Sequence, residues 1–552
     1  MKNYARLFFM SLLVLKAFGS CKKATKNNEA VAQKPNILFI TTDYTRGADM
    51  DELSGILKMP TVKKLYDEGA VFTRHSSVSP ICMPARASIV TGMYPHSHSL
   101  WDNRSISIKK PDRPFLMRDL QKLGYTTVGI GKMHFNPFGA DYDFDVYQSL
   151  EGKDRDYRND DYEKYLEEHG TSRKEIRKNH VDNGRPPGQD FYPWHIAEKL
   201  HPDYFVGEMA VETITDGAIN KEKPWFMWVS FTGPHNPWNP PKRFFEDYPP
   251  AKMPDAKFME GELKNKPIEY TRHRYGYGRD LLSIYDKLPG EEQEQFRKQV
   301  KAAHFASLGF VDEQIGRVMA ALKDKNLLEN TIVIFTSDHG SALFDNEMLH
   351  KGSPFPTQSL VPMLVWGPKY IVPGIRNGFT SHVDVYPTFI ELAGGIASSK
   401  VEGESFFGSL KSDNHKTQDF VVIESAMVSS LMTYDLLLGF HHISKEIELY
   451  DLQKDPMCHY NVADVSDNTE VVNELKKTLV DWRREKSPDL QIGEDPLQWG
   501  LEILGDSVEM SKLKNSYLKA YERLAEIDEL RPGILGGGAL EVIGKIGYLV
   551  EP

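Results

Sequence analysis

The chain has 552 residues, of which 40% are hydrophobic and 26% are charged, and its formal net charge is −11. These values describe an ordinary soluble globular protein that is long enough for one large and one small domain. The acidic balance argues against a nucleic-acid-binding protein, because neutralising phosphates requires clustered Lys and Arg, and no long basic run follows the N-terminus.

Residues 1–33 have the layout of an export signal followed by a tether. Lys2 and Arg6 precede the apolar run LFFMSLLVL, which is too short to cross a bilayer. A Gly-Ser pair before Cys21 resembles a bacterial lipoprotein processing site, and the polar residues after it indicate a flexible tether. We therefore predict a bacterial envelope protein, periplasmic or anchored to the outer membrane through a lipidated Cys21.

Short apolar runs alternate with helical patterns along the next part of the chain, which is the arrangement of a largely parallel sheet covered by helices on both faces. The predicted strands are residues 36–41, 126–130, 225–230, 331–336 and 363–366, and the clearest helical patterns are residues 61–68, 114–123 and 295–323. We therefore predict an α/β fold with a large, mostly parallel central sheet flanked by helices.

Ionisable residues follow four of these strands: Asp43, then Lys132 and His134, then His235, then Asp338 and His339. Because the carboxyl ends of parallel strands meet at one crevice, where ligands bind, we expect these six side chains to lie together. Each alone has an ordinary structural explanation, since an aspartate after a strand often caps a helix or makes a turn. The coincidence of several favours a site, and the two aspartates with His339 suit a hard divalent cation.

Only three cysteines occur, so no disulfide framework is expected: Cys21, Cys82 and Cys458. Cys458 is expected to be a packed or partly exposed thiol. Cys82 stands in the segment SPICMPARASIVTG, where a lone cysteine among small and apolar residues would ordinarily be a buried thiol. However, Pro84 suits the first turn of a helix, and a helix N-terminus favours an anion.

This segment resembles the signature of the type I, formylglycine-dependent sulfatases of the alkaline phosphatase-like superfamily, with Cys82, Pro84, Arg86, Thr91 and Gly92 at the family's positions. In that family a sulfatase-maturating enzyme oxidises the cysteine to Cα-formylglycine, an aldehyde that is hydrated to a gem-diol. Further blocks occur in the family's order: PNILFITTD, GIGKMH, SFTGPHNPW, FTSDHG, KGSPFPTQSLVPMLVWGP and ELYDLQKDP.

The resemblance implies an alkaline phosphatase-like catalytic domain over residues 34–408 and a smaller C-terminal subdomain of antiparallel sheet plus helix over residues 409–488. The strand-like runs there are residues 420–425, 431–440 and 446–452, followed by a helix over residues 470–485. Residues 489–552 form an extension in which the resemblance fades.

The resemblance also implies site residues. The metal ligands would be Asp43, Cys82, Asp338 and His339, and the substrate-pocket residues would be Arg86, Lys132, His134, His235 and Lys351. Calcium is the expected ion, with magnesium or manganese as alternatives. Many sulfatases carry a second aspartate directly after the first, whereas this chain has Tyr44, so the site is expected to hold one fewer carboxylate.

The implied mechanism is in-line attack on sulfur by one hydroxyl of the hydrate at residue 82, which Arg86 holds. Lys132 and Lys351 would screen the sulfate oxygens. His235 or Lys351 would protonate the departing alkoxide. His134 would then take the proton of the second hydroxyl, which expels sulfate and regenerates the aldehyde.

For an exported bacterial sulfatase, the expected substrate is a sulfated carbohydrate. Two polar insertions, residues 141–192 and 251–292, separate the core blocks, and loops over a crevice set specificity. Residues near the catalytic blocks that would contact a sugar are His98, Trp101, Asn103, Arg104, Trp194 and Trp238. For each tryptophan, core packing is the equal alternative.

Two other functions stay open. One is a phosphonate monoester or phosphodiester hydrolase of the same fold, which can share the formylglycine motif. The other is a non-catalytic glycan-binding lipoprotein, against which the full set of pocket residues argues.

Overall fold

The computed structural model describes residues 34–503 except for 104–107, 109, 111, 153–159, 186–188, 268, 271–278, 413–417 and 443. The predicted signal and tether (residues 1–33), Arg104 and residues 504–552 of the predicted extension therefore lie outside the described residues. Within the described part, no helix is both long enough and apolar enough to span a membrane.

The central sheet of the described structure has nine strands. They are β1 (Asn36–Thr42), β2 (Ala70–Ser76), β3 (Thr126–Gly131), β4 (Val146–Ser149), β5 (Trp225–Ser230), β6 (Thr331–Ser337), β7 (Leu360–Val361), β8 (Met363–Trp366) and β9 (Gly374–Ser381). Their order is β4-β3-β5-β1-β6-β8-β2-β7, with β9 paired to β2. All five predicted strands belong to this sheet.

Strands β4, β3, β5, β1 and β6 run parallel, and β8 pairs antiparallel with β6 and β2. In the register at the centre, Ile37 lies opposite Phe226 on one side and Ile332 on the other. The predicted α/β fold with a mostly parallel central sheet is therefore confirmed.

Both faces of the sheet are buried, which explains why its strands are almost continuously apolar. Along β1, Leu38 and Ile40 pack in one core cluster while Ile37 and Phe39 pack in another. Each such side chain contributes roughly 1.5–3 kcal/mol when fully buried. The sheet is therefore held rigidly between two helical layers.

The described helices are α1 (Pro60–Glu68), α2 (Cys82–Thr91), α3 (Pro95–His98), α4 (Leu116–Lys122), α5 (Asp161–Glu168), α6 (Arg173–Asp182), α7 (Pro202–Thr215), α8 (Lys242–Asp247), α9 (Arg279–Tyr285), α10 (Gly290–Asp324), α11 (Pro356–Ser359), α12 (His382–Leu392), α13 (Phe407–Lys411), α14 (Thr469–Lys486) and α15 (Pro496–Ile503). Short 3-10 helices lie between them, including Gly47–Ser54 and Asp345–Glu347. The three predicted helices correspond to α1, α4 and α10. Side chains of α1, α7 and α10 join one core cluster, and those of α2, α4 and α12 join the other.

A separate antiparallel sheet of four strands follows: β10 (Phe420–Glu424), β11 (Val428–Thr433), β12 (Leu436–His441) and β13 (Ile447–Asp451). Helix α14 packs on it through Leu479 and Val480. The predicted antiparallel sheet plus helix is therefore confirmed. The predicted domain division stays a prediction, and its boundary at residue 408 falls within α13.

One predicted element of this region is wrong. The run at residues 431–440 was expected to be a single strand, but a turn at Tyr434 and Asp435 divides it between β11 and β12. The Thr433 hydroxyl accepts a hydrogen bond of 2.9 Å from the Leu436 N–H and so closes the turn. The aspartate and this threonine are turn-forming residues, and the apolar residues on both sides concealed them.

Candidate active site

The carboxyl ends of four neighbouring parallel strands bring the predicted site residues together. Asp43 follows β1, Lys132 follows β3, His235 follows β5 and Asp338 follows β6. Backbone hydrogen bonds extend the pairing past the strand ends, from the Lys132 N–H to the Ser230 carbonyl (2.9 Å) and from the Asp338 N–H to the Thr42 carbonyl (3.2 Å). The predicted convergence at one edge of the sheet is confirmed by this geometry.

A glycine makes the turn after β3 feasible. Gly131 has a φ of +93°, and a Cβ at this position would lie 2.1 Å from the carbonyl oxygen of Ser230. Only glycine fits both the backbone conformation and the space. The chain can therefore leave the sheet here and carry Lys132 and His134 into the site.

Helix α2 presents Cys82 as its first residue, with Pro84 in the first turn, as predicted. The helix ends at Gly92, whose φ of +65° allows its N–H to cap the Ser88 carbonyl at 2.9 Å. All ten helical residues are buried. The Met83 N–H in the first turn donates to Oδ1 of Asn103 at 3.0 Å, so the start of the helix is fixed against the following loop.

Four buried side chains form a compact set of donor atoms: Asp43, Cys82, Asp338 and His339. One ligand atom from each lies within 4.8 Å of all the others. Nε2 of His339 is 3.3 Å from Cys82 Sγ and 3.6 Å from a carboxylate oxygen of both aspartates. Two carboxylates and one imidazole suit a divalent cation, so these residues fit the metal that the resemblance implies.

Arg86 and Lys132 surround this set with positive charge. Arg86 Nε donates to Asp338 Oδ2 at 2.8 Å, Nη1 donates to the Ser230 hydroxyl at 2.8 Å and to the Lys132 carbonyl, and Lys132 Nζ contacts Asp43. Arg86 Nη2 is buried without a hydrogen-bond partner among the described residues, 4.0 Å from Asp43 Oδ2. Such an orphaned donor is expected where a further oxygen-bearing group completes the site.

The charge balance keeps Asp43 ionised. Burial opposes its ionisation, but Lys132, and then His235, Lys351 and His339, outweigh it and hold the pKa of Asp43 well below its usual value. Burial likewise disfavours the charged form of Arg86, yet Asp338 and Asp43 raise its pKa. An ionised carboxylate is the form that binds a cation.

Lys351 joins the site from the loop after β6. Its Nζ is 2.6 Å from Cys82 Sγ and 3.1 Å from Nε2 of His339. Burial acts to lower the pKa of Lys351, but Cys82 and Tyr44 outweigh burial and raise this pKa above its usual value. Lys351 therefore stays in the ammonium form. Burial and Asp43 raise the pKa of Cys82, and Lys132, Lys351 and His339 lower it to about 7, so the position favours an anion.

His134 and His235 are neutral imidazoles, because burial, followed by Lys132, holds the pKa of His134 well below its usual value. The pKa of His235 is lowered in the same way by burial, against the opposing effect of Asp43. Within the described structure, Nδ1 of His134 is buried and makes no hydrogen bond. Nδ1 of His235 donates to the Asn236 carbonyl at 2.6 Å, so its Nε2 is the basic nitrogen.

Tyr44 occupies the place of the second aspartate. Its backbone φ is +85°. Its ring is stacked on His235 with centroids 4.4 Å apart and an interplanar angle of 1°, and Lys351 Nζ lies 4.4 Å from the Tyr44 ring centroid. The departure from the family pattern therefore places an aromatic ring against two predicted catalytic groups.

A cavity of about 210 Å³ opens above the donor atoms. Its described lining residues are Cys82, Asn103, Lys132, His134, Glu151, Gly152, Asp190, Thr232, His235, Asn236 and Pro237. Sequence reasoning did not identify Glu151, Asp190, Thr232 or Asn236. Glu151 accepts the His134 N–H at 3.0 Å, and Asp190 accepts from Nδ2 of Asn236 at 2.9 Å. The only sequence signal for Glu151 and Asp190 is that both lie in the first polar insertion.

Four of the residues that were predicted to contact a sugar do not line this cavity. Nε2 of His98 bonds to the Ser88 hydroxyl and Nδ1 accepts the Leu100 N–H, both at 3.0 Å, and the ring lies outside the cavity lining. This geometry gives no support to the prediction that His98 binds substrate. The three tryptophans named above are buried in the packed interior, as their alternative explanation predicts. Asn103 does line the cavity.

The family models and the relatives that this chain matches are sulfatases or sulfohydrolases. The family model described as Sulfatase matches residues 35–396, and the model described as N-sulphoglucosamine sulphohydrolase, C-terminal, matches residues 338–485. An arylsulfatase of Clostridium perfringens is 28% identical over 81% of this chain and 94% of its own length. An N-acetylglucosamine-6-O-sulfatase of Bacteroides thetaiotaomicron is 25% identical over 88% and 92%.

Two solved structures share the fold. A phosphonate monoester hydrolase of Agrobacterium radiobacter has a TM-score of 0.69 at 23% identity, covering 82% of this chain and 96% of its own. A protein solved with its substrate, D-glucosamine-2-N,6-O-disulfate, has a TM-score of 0.66 at 21% identity, covering 84% and 99%. At these identities the likeness concerns the fold alone.

Proposed function

The chain belongs to the sulfatase family and hydrolyses sulfate esters, and we propose that its substrate is a sulfated carbohydrate. The observation that carries this proposal is the convergence of Asp43, Cys82, Asp338 and His339 at the base of a small polar cavity. The cationic groups of that cavity suit the sulfate group, and its hydrogen-bonding groups suit a sugar.

The proposed nucleophile is formylglycine at position 82, produced by a sulfatase-maturating enzyme. Sγ of Cys82 marks the place that the oxygens of the hydrated aldehyde would take. Two features support the modification: Arg86 Nη2 has no hydrogen-bond partner within the described structure, and Lys351 Nζ lies 2.6 Å from Sγ. Both are donors that would bond to the hydrate oxygens.

Asp43, Asp338, His339 and residue 82 would hold the metal ion. Carboxylate oxygens favour a hard cation, so calcium is proposed, with magnesium and manganese as the alternatives. When bound, the ion would neutralise part of the sulfate charge and lower the pKa of the attacking hydroxyl.

In the first step, one hydroxyl of residue 82 loses its proton to solvent and its oxygen attacks sulfur as the ester S–O bond breaks. Lys132 and Lys351 face the sulfate oxygens and stabilise their charge through the transition state. The departing sugar oxygen takes a proton from Lys351, whose ammonium form persists, or from His235 when its Nε2 is protonated. This proton is important because an alkoxide is a poor leaving group. Such acid catalysis contributes ~10²–10⁴-fold.

In the second step, the remaining hydroxyl of residue 82 gives its proton to His134. The bond between carbon and the sulfate oxygen breaks, sulfate leaves, and the aldehyde returns and adds water. The support for this role is that Nδ1 of His134 is buried in the cavity wall without a partner in the described residues, while the ring is neutral. A neutral imidazole with an open nitrogen is a competent base.

The shape and polarity of the cavity support a carbohydrate. Its volume of about 210 Å³ is below the roughly 300–1,000 Å³ of sites for drug-sized ligands, so it suits the sulfate and the ring that carries it. Glu151, Asp190, Thr232 and Asn236 offer acceptors and donors for sugar hydroxyls. The relative that acts on N-acetylglucosamine 6-O-sulfate and the fold neighbour solved with a glucosamine disulfate also support a sugar.

The proposed place of action is the bacterial envelope, with lipidated Cys21 as a membrane anchor. The support is the composition of residues 1–33. Cys21→Ala should move the protein from the membrane fraction to the soluble envelope fraction, and an unchanged distribution would contradict lipid anchoring.

The test of the function is a substrate panel at matched concentration with protein matured in a host that makes formylglycine. The panel contains sulfated monosaccharides, nitrophenyl sulfate, a phosphonate monoester and a phosphodiester. The expected result is the highest kcat/KM on a sugar sulfate. Higher kcat/KM on the phosphonate or the phosphodiester would contradict it and favour the hydrolase activity named for the fold neighbour.

A further inference from the structure

The ring of Tyr44 contacts both groups to which protonation of the leaving group is assigned, His235 and Lys351. It lies parallel to the His235 ring at 4.4 Å, and Lys351 Nζ lies at the same distance from its centroid. It also meets the His339 ring edge-on at 5.0 Å. Tyr44 is buried, with only 2% of its surface exposed, so these contacts are shielded from water.

The backbone of Tyr44 is held in an unfavourable conformation to make these contacts. Its φ of +85° is rarely adopted by residues other than glycine. Strain of this kind persists only where the surroundings enforce it, and it concentrates at functional sites. The neighbouring Asp43 N–H is held by the Gly233 carbonyl at 3.2 Å, which ties the end of β1 to the loop that carries His235.

We propose that Tyr44 is a positioning residue that holds His235 and Lys351 in place for protonation of the leaving group. The inference rests on the proposed function and deepens it. Stacking fixes the plane of the imidazole, and the attraction between the ammonium and the ring face fixes Lys351. The bond from Nδ1 of His235 to the Asn236 carbonyl at 2.6 Å and the stack on Tyr44 both act on the orientation of the His235 ring.

This role predicts an effect that depends on the leaving group. A sugar alkoxide needs a proton as the S–O bond breaks, whereas nitrophenolate leaves readily without one. Loss of alignment of His235 and Lys351 should therefore slow hydrolysis of a sugar sulfate and spare nitrophenyl sulfate. If the role of Tyr44 were purely structural, removing its ring would lower the rates on both substrates together.

The experiment compares Tyr44→Leu with Tyr44→Phe in the matured, metal-loaded enzyme. Tyr44→Leu removes the ring, and we expect kcat/KM to fall about 10²-fold on the sugar sulfate but less than fivefold on nitrophenyl sulfate. Tyr44→Phe keeps the ring and should stay within about threefold of the wild type on both substrates, because the ring face carries the stacking and the cation attraction. Retention of the melting temperature by Tyr44→Phe provides the folded reference.

Three results would overturn the inference: equal losses on both substrates, no loss on either, or a Tyr44→Phe variant as slow as Tyr44→Leu. Elemental analysis of the purified variants adds a readout that is independent of activity. The metal content should be unchanged, and its loss in Tyr44→Leu would assign the ring to the metal site instead. Failure of the proposed function itself would look different, because the wild type would then have its highest kcat/KM on the phosphonate or the phosphodiester.

Discussion

Two of the clusters of charged side chains that the described structure buries differ in an instructive way, one at the carboxyl edge of the large sheet and one beside the small sheet. In the second cluster, His441 lies between two carboxylates, with Nε2 3.0 Å from Glu448 and Nδ1 3.6 Å from Glu269. Glu448 also accepts hydrogen bonds from the hydroxyls of Tyr270 and Tyr450. Two carboxylates therefore flank the His441 ring, one on the side of each nitrogen.

The first cluster differs in its access to a ligand. Lys132, Lys351 and Arg86 crowd around Asp43 and Asp338, and donor atoms remain without partners in the described residues, as at Arg86 Nη2. A cavity opens onto this cluster. The comparison teaches that burial of charge alone does not mark a functional site. Both clusters contain buried polar atoms without a hydrogen-bond partner among the described residues, so the site is marked by buried charge together with access for a ligand.

The largest expected effect contrasts two buried cysteines, one from each region. Cys82→Ala should lower sulfate release by about 10⁶-fold, the scale for removal of a hydrolase nucleophile. Cys458→Ala, the matched control, should leave sulfate release unchanged, because Cys458 is packed beside the small sheet. Initial rates on a sugar sulfate and melting temperatures of both variants make the test. Undiminished sulfate release by folded Cys82→Ala would contradict the assignment of the nucleophile to position 82.

The next effect concerns His134. His134→Ala should lower steady-state turnover by ~10²–10⁴-fold, because the second hydroxyl of residue 82 loses its base. The variant should still release one equivalent of alcohol and then retain sulfate on the protein. Alcohol and sulfate are measured separately, and the protein mass should rise by one sulfate group. Parallel loss of alcohol and sulfate, with no adduct, would refute the assigned role.

The smallest effect on activity is expected in the second cluster. His441→Gln leaves two buried carboxylates without their cation, so the free energy of unfolding should fall by ~3–5 kcal/mol, while kcat of the folded enzyme stays unchanged. His442→Gln is the matched control, since His442 is buried and its pKa is lowered, chiefly by burial, to about 3. A large loss of kcat in His441→Gln would assign this cluster to catalysis.

The loss of stability should depend on pH. Burial alone lowers the pKa of His441, but Glu448 and Glu269 raise it to about 10. A raised histidine pKa stabilises the fold fully below the unfolded value of about 6.5, and this contribution is lost as the pH rises through the folded value. Denaturant unfolding should therefore separate wild type and variant most near pH 6 and least above about pH 10. A constant difference would contradict this account.

Much of the fold and part of the site follow from sequence patterns. Apolar runs predicted five strands of the central sheet, and the position of Asp43, Lys132 and Asp338 after strands predicted their convergence. Both rest on local periodicity and on the geometry of parallel sheets. The four donor residues were implied by the resemblance of their motifs to those of sulfatases.

The features that the sequence did not predict depend on packing between segments that are distant in the chain. Glu151 and Asp190 reach the cavity from an insertion whose path no periodicity describes. The hairpin at Tyr434 and the stacking of Tyr44 on His235 likewise arise from contacts made only in the folded chain. A tertiary contact of this kind has no local signal for sequence reasoning to detect.

The central claim is that position 82 carries formylglycine within this site. The most direct test is the mass of the tryptic peptide of residues 75–86 from active enzyme made in a host with the maturation system. We predict a peptide in which one sulfur and two hydrogens are replaced by one oxygen, with sulfate release proportional to the converted fraction. Full sulfate release from protein that carries only the unmodified cysteine peptide would contradict the account.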